Sequence, residues 1–179
     1  GFALKIDMDA SGAVRDYRRI CNYETGEITV RWSDERGAWK RQAFVSRDAD
    51  VAVFELQAPS AGKLNCAISL QMPAEMNFPK GLKTKCLHTK DYLNIRVNYA
   101  APMDTIGYEG GIRVKQKGGS SFLRNDTLYI KDASEILLLS RTQKYPENCE
   151  AEWSKGFLKK ELDAIRANYN GLLLSLIHI

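Results

Sequence analysis

The chain reads as a mainly β protein, an antiparallel sandwich or barrel followed by one C-terminal helix. Three observations predict this. Short alternating apolar segments recur roughly every 8–12 residues, the spacing of sandwiches and barrels. Turn chemistry rich in Gly, Asp, Asn and Ser separates them. Near the C-terminus the apolar spacing widens from two to between three and five, the mark of an amphipathic helix.

The elements follow in order. Ala3–Met8 alternates, and Asp9-Ala10-Ser11-Gly12 turns the chain. Val14–Tyr23 is extended, and Glu24-Thr25-Gly26 makes a hairpin turn. In Ile28-Thr29-Val30-Arg31-Trp32 the apolar residues share one face, leaving Thr29 and Arg31 for water. Ser33-Asp34-Glu35-Arg36-Gly37 turns again, with Gly37 free to take positive φ. Trp39–Ser46, Val51–Gln57 and Leu64–Gln71 follow. Between Met72 and Thr89, Pro73, Pro79 and Gly81 break any ladder, which predicts a long surface connection. Tyr92–Tyr99, Gly110–Lys117, Thr127–Ile130 and Ile136–Thr142 resume the strand pattern, with Gly118-Gly119-Ser120 as a hairpin tip. Ile136-Leu137-Leu138-Leu139 is apolar throughout, as a strand buried on both faces requires. Trp153, Phe157, Leu162, Ile165, Tyr169 and Leu172 then define the apolar stripe of a helix that packs on a neighbour.

Composition excludes several classes. Hydrophobic residues make up 44% and charged ones 27% of the 179, with mean hydropathy −0.36, so disorder and collagen fall away. The net charge of +4 is too small to argue for nucleic acid. No apolar run is long enough to span a bilayer as a helix. The length suits one domain and is too short for a sandwich plus a full helical barrel. Both ends read as cut: Gly1 opens directly into a strand with no signal peptide, and Ser175-Leu176-Ile177-His178-Ile179 reads as sequencing-adapter sequence. His178 therefore receives no functional weight, which leaves His88.

Candidate chemistry is sparse. Cys21, Cys66, Cys86 and Cys149 contain no C-x-x-C pair and read as free thiols. Cys86 and His88 share one face of an extended segment, but a nucleophile needs an orienting third group and a metal needs more ligands. Tyr108-Glu109-Gly110-Gly111 lacks the following helix that a phosphate cradle uses. Tyr17-Arg18-Arg19 and Lys115-Gln116-Lys117 read as solvated strand faces, and Asn125-Asp126-Thr127 is a glycosylation sequon. The carboxylates Asp7, Asp9, Asp16, Glu24, Asp48, Asp50 and Glu109 read as turn formers and surface charges. No two of them are singled out as the pair about 5–10 Å apart that glycoside hydrolysis needs. No catalytic residue, metal ligand or cofactor site is assigned.

The order of the strands carries a resemblance. Val14-Arg15-Asp16-Tyr17-Arg18-Arg19-Ile20-Cys21-Asn22-Tyr23-Glu24-Thr25-Gly26 and Ile28–Trp32 resemble the YRR-x-L-x-x-x-TG-x-x-x-V segment of glycoside hydrolase family 95. Lys40–Leu56 is similar to that family's next strand pair, and Glu135–Tyr145 to the strand that closes its N-terminal domain. Leu158–Leu173 is similar to its linker helix. Cys21 and Asn22 stand where the family usually has Leu or charged residues, and Gln42 replaces a common Glu.

The resemblance implies an antiparallel β-supersandwich, galactose-mutarotase-like, over residues 1–150 and a linker helix over 151–174. It implies a non-catalytic N-terminal domain of an α-L-fucosidase-like enzyme. The partner is that enzyme's own downstream (α/α)6 barrel, which carries the catalytic residues and takes an oligosaccharide substrate; no nucleic acid or membrane is implied. Tyr17, Arg18, Arg41 and Phe44 are read as scaffold, with Arg18 or Arg41 available to pair a strand carboxylate. The alternative is a free-standing carbohydrate-binding sandwich whose Trp32, Trp39 and Tyr92 form a stacking platform.

Overall fold

A computed structural model of the protein describes residues 2–59, 64–73, 80–100, 107–145 and 157–165. Among the described residues, twelve strands and one helix follow one another. The strands are β1 (Ala3–Asp7), β2 (Arg15–Asn22), β3 (Glu27–Asp34), β4 (Gly37–Ser46), β5 (Val51–Gln57) and β6 (Leu64–Gln71). Then come β7 (Lys83–Thr89), β8 (Tyr92–Asn98), β9 (Gly107–Lys117), β10 (Ser120–Arg124), β11 (Thr127–Ala133) and β12 (Glu135–Tyr145). The helix α1 covers Phe157–Ala164.

The strands form two antiparallel sheets of unequal width. The small sheet runs β1-β6-β11-β10 and the large one β2-β3-β4-β5-β12-β9-β8-β7. Period-two alternation divides the inner strands of the large sheet between two environments, while the edge strands β2 and β7 are exposed along nearly their whole length. On β12, Ile136 and Leu138 enter the core between the sheets, while Leu137 and Leu139 enter a second core on the outer face. The four-residue apolar run is therefore buried on both sides, as its sequence predicts. The inter-sheet core joins Ile68 and Ile130 of the small sheet to Leu56, Leu93, Ile95, Ile112 and Leu138 of the large one.

Turns sit where the sequence places them. Gly26 and Gly37 take φ of 70° and 123°, in the left-handed half of backbone space that suits glycine. Asn125 and Asp126 both have positive φ and join β10 to β11 in a tight hairpin, with the sequon at its tip.

Four expectations are corrected. Lys83–Thr89, inside the stretch read as irregular, is β7, the far edge strand of the large sheet. As an edge strand it is mostly exposed, so it shows no apolar alternation. Gly118-Gly119 is not a hairpin tip. Strand β9 already pairs β8 on one side and β12 on the other, so the chain must leave the sheet, and β10 joins the small one. A Cβ on Gly119 would lie 2.1 Å from the Lys131 carbonyl oxygen, which makes glycine the residue for this crossing. Thr29 does not face water: it is buried in register with Gln42, which stands in turn opposite the buried Glu55. Arg18 and Arg41 find no strand carboxylate among the described residues; Arg18 stands opposite Arg31 and Arg41 opposite Val30 and Leu56.

The predicted helix is present as α1, and the remainder of its stripe, from Trp153 and from Tyr169 to Leu172, lies outside the described residues. So do Cys149 and the adapter-like 175–179. No helix among the described residues is long and apolar enough to cross a membrane.

Candidate functional site

The outer face of the large sheet carries an apolar core, two arginine ion-pair clusters and a buried polar network. Helix α1 presents Leu158 and Leu162, four residues apart and so on one side of the helix. Both are fully buried against Phe44, Val51, Val53, Tyr92, Leu137 and Leu139. The helix lies close to the sheet because β9 has glycine at position 111. A Cβ there would meet Leu158 Cδ2 and Tyr92 Oη, each at 2.8 Å.

Two arginines fasten this helix. Arg141 of β12 pairs with Glu161 of the helix at 2.9 Å and with Asp50 of the β4–β5 turn at 3.0 Å. Arg113 of β9 pairs with Asp163 at 2.8 Å and with Asp91 of the β7–β8 turn at 2.5 Å. Each arginine is largely covered and ties one helix carboxylate to one loop carboxylate, a geometry suited to the forked guanidinium. Lys159 adds a 2.7 Å pair to Asp163 within the helix.

Beneath α1 lies a buried polar network. Asn94 Nδ2 donates to Glu109 Oε1 at 2.5 Å, to Tyr92 Oη at 3.1 Å and to the Gly110 carbonyl at 3.2 Å. Burial pushes the Glu109 carboxyl above the usual carboxylate range, against the lowering effect of Asn94 and of the nearby Arg96. Burial and the neighbouring Glu109 push the Tyr92 hydroxyl up as well. A carboxyl with a raised pKa is the kind of group that serves as a general acid. Here Glu109 is only 6% exposed and its hydrogen bonds run to the sheet's own residues, so the network orders the platform on which the helix sits.

The sequence candidates fare as follows. Of the seven carboxylates singled out, Glu109 alone is buried, while Asp7 and Asp50 form ion pairs with Lys5 and Arg141. Cys86 is exposed, and His88 Nδ1 accepts the Asn94 backbone N–H at 3.2 Å. Burial lowers the His88 pKa, and among the described residues its Nε2 has no hydrogen-bond partner to orient the ring toward Cys86. No cluster of three or more potential metal ligands exists among the described residues. The stacking platform is not assembled. Trp39 is 2% exposed at the inter-sheet core, where it stacks on Trp32 and its Nε1 donates to Asp34 at 3.0 Å. Tyr92 is fully buried on the opposite face of the sheet.

Sequence reasoning missed Arg113, Arg141, Glu161 and Asp163. The signal lay in β12, where Leu137, Leu139 and Arg141 share one face, so an arginine continues an apolar stripe.

The described residues form a two-sheet antiparallel sandwich whose outer face fastens a helix. The family is given by sequence: residues 3–146 match the family described as glycosyl hydrolase family 65, N-terminal domain, and the chain belongs to it. This corrects the family-95 resemblance at the level of the family and keeps its class, a glycoside hydrolase N-terminal domain. In fold the chain is similar to a solved protein titled "Putative kojibiose phosphorylase from human microbiome", with TM-score 0.64 and 9% identity. The match covers 97% of this chain and 26% of that one, so the chain spans about a quarter of its length. No match is found among the curated proteins.

Proposed function

We propose that the chain is the non-catalytic N-terminal domain of a longer carbohydrate-active enzyme of the glycoside hydrolase type, and that it supports a downstream (α/α)6 barrel. Residues 1–150 then form the sandwich and 151–174 the linker that leads to the barrel. The observation that carries this reading is the fastening of α1 to the large sheet by Leu158, Leu162, Arg113 and Arg141. A helix held this way projects whatever follows it from a fixed surface. The family match supports the class, and the small share of the solved neighbour that the chain covers supports a longer parent. The α-L-fucosidase activity implied by the sequence resemblance has no support in the family match and is not carried over.

The test compares the 179-residue chain with the intact parent protein on a panel of aryl glycosides that includes fucosides and galactosides. The chain alone is expected to give no turnover while the parent does. Appreciable turnover by the chain alone would sink the proposal, as would a parent without an α-helical barrel after the linker.

A further inference from the structure

The two sheets differ in width by four strands, and three of the four, β2, β3 and β4, fall on one side. The large sheet's share of the inter-sheet core comes from β5, β12, β9 and β8, with Trp39 alone from β4. The inner faces of β2, β3 and β4 therefore extend past the small sheet, which ends at β1. Among the described residues no strand pairs with the outer edge of β1. Between that edge and the overhang runs a trough made of two cavities, about 710 and 280 Å³, which share Ile6, Val30 and Arg41.

The trough's lining has the chemistry that an added strand would meet. One wall is the β1 edge, whose backbone N–H and C=O groups on that side have no ladder partner among the described residues. The floor is half-buried and apolar, with Ile28, Ala43 and Phe54 in one cross-strand row. In the next row Arg19 and Arg41 flank Val30, and neither makes an ion pair among the described residues. A third row holds Trp32 and Trp39. A strand laid along β1 would set its inward side chains over these rows in turn, because residues two apart share a face. The complement is apolar, acidic, apolar.

We propose that the trough takes an extended strand of the parent polypeptide, from outside these 179 residues, added to the edge of β1. Main-chain hydrogen bonds to β1 hold it, and one inward carboxylate between Arg19 and Arg41 sets its register. The proposal rests on the reading of the chain as one domain of a longer enzyme. A second copy of this chain is a poorer fit: antiparallel self-pairing centred on Lys5 would set two lysines opposite each other.

Two measurements test it. The first uses the 179-residue chain and a blocked peptide, Thr-Val-Thr-Glu-Thr-Val-Thr, beside its counterpart with lysine at the centre. The glutamate peptide is expected to slow amide exchange at Leu4–Asp7 and to bind about tenfold more tightly than the lysine peptide. Arg19→Gln with Arg41→Gln should level the two without loss of the folded far-ultraviolet spectrum. Equal binding of both peptides by the unaltered chain overturns the proposal. So does protection of β1 that depends on protein concentration without peptide, which would make a second copy the occupant. The second measurement follows the same amides in the intact parent, where they are expected to exchange at least about a hundredfold more slowly than in this chain. Fast exchange there overturns the added strand, even if the parent carries an active barrel and the support role stands.

Discussion

Glu109 ties stability to pH through its burial. Its folded pKa is raised, so the stability it leaves to the fold is fully present below its unfolded value of about 4.3 and declines as pH rises through the folded value. Glu109→Gln keeps an oxygen to accept the Asn94 hydrogen bond and removes the buried charge. The variant is expected to be at least as stable as the parent sequence at about pH 7, with the gap closing toward about pH 4. Urea unfolding at both pH values checks this, and a variant weaker at neutral pH than in acid would contradict it. Asp34 is held the opposite way. The guanidinium of Arg36 is the largest influence on it, and the Trp39 indole also donates to it, so its carboxyl lies well below the usual range. Its contribution is present above the unfolded value and is lost only in strong acid.

At the scale of elements, the helix and the sheet meet through one missing methyl group. Gly111 has ordinary backbone geometry, so its role is space and not conformational freedom. Gly111→Ala would push a Cβ into Leu158 and the Tyr92 hydroxyl. The expected cost is about 1–3 kcal/mol, the range for overpacking a filled site. Thermal unfolding measures the cost, and amide exchange locates it: protection should fall in α1 before it falls in β5 or β12. Loss spread evenly over both sheets would show that α1 is not a separable layer. The turn elements were legible in the sequence because glycine and Asn-Asp chemistry acts locally. The fate of Gly118-Gly119 was not, because the same tight bend serves a hairpin or a crossing, and only the occupied edges of β9 decide between them.

The whole molecule is built on distant pairings. Strand β1 pairs with β6 across Ala3↔Gln71, and β5 pairs with β12 across Gln57↔Glu135. The large sheet closes only when β12 inserts between β5 and β9. Loop closure on this scale costs entropy before any contact offsets it, so refolding is expected in the millisecond-to-second range or slower. Stopped-flow fluorescence of Trp32 and Trp39, which stack at the inter-sheet core, reports it. A dominant microsecond phase would be at odds with this topology. At the same scale the unequal sheets leave, among the described residues, an unpaired β1 edge beside a trough, a feature of the assembly that no single strand displays.

By itself the sequence determined the class and most of the parts. Period-two alternation depends only on neighbouring residues, and it placed nine of the twelve described strands through their apolar faces, while the exposed β2 was read as extended ahead of its Glu24-Thr25-Gly26 turn. The change of period placed the helix, and ordered motifs pointed to a glycoside hydrolase N-terminal domain. Edge strands β7 and β10 escaped because a strand exposed on most of its surface carries no apolar rhythm. Only the tertiary structure decided which strands share a sheet, that Trp39 and Tyr92 lie on opposite faces, and that Arg113 and Arg141 grip α1. Those outcomes depend on pairing between segments tens of residues apart, and local patterning does not encode which free edge meets which.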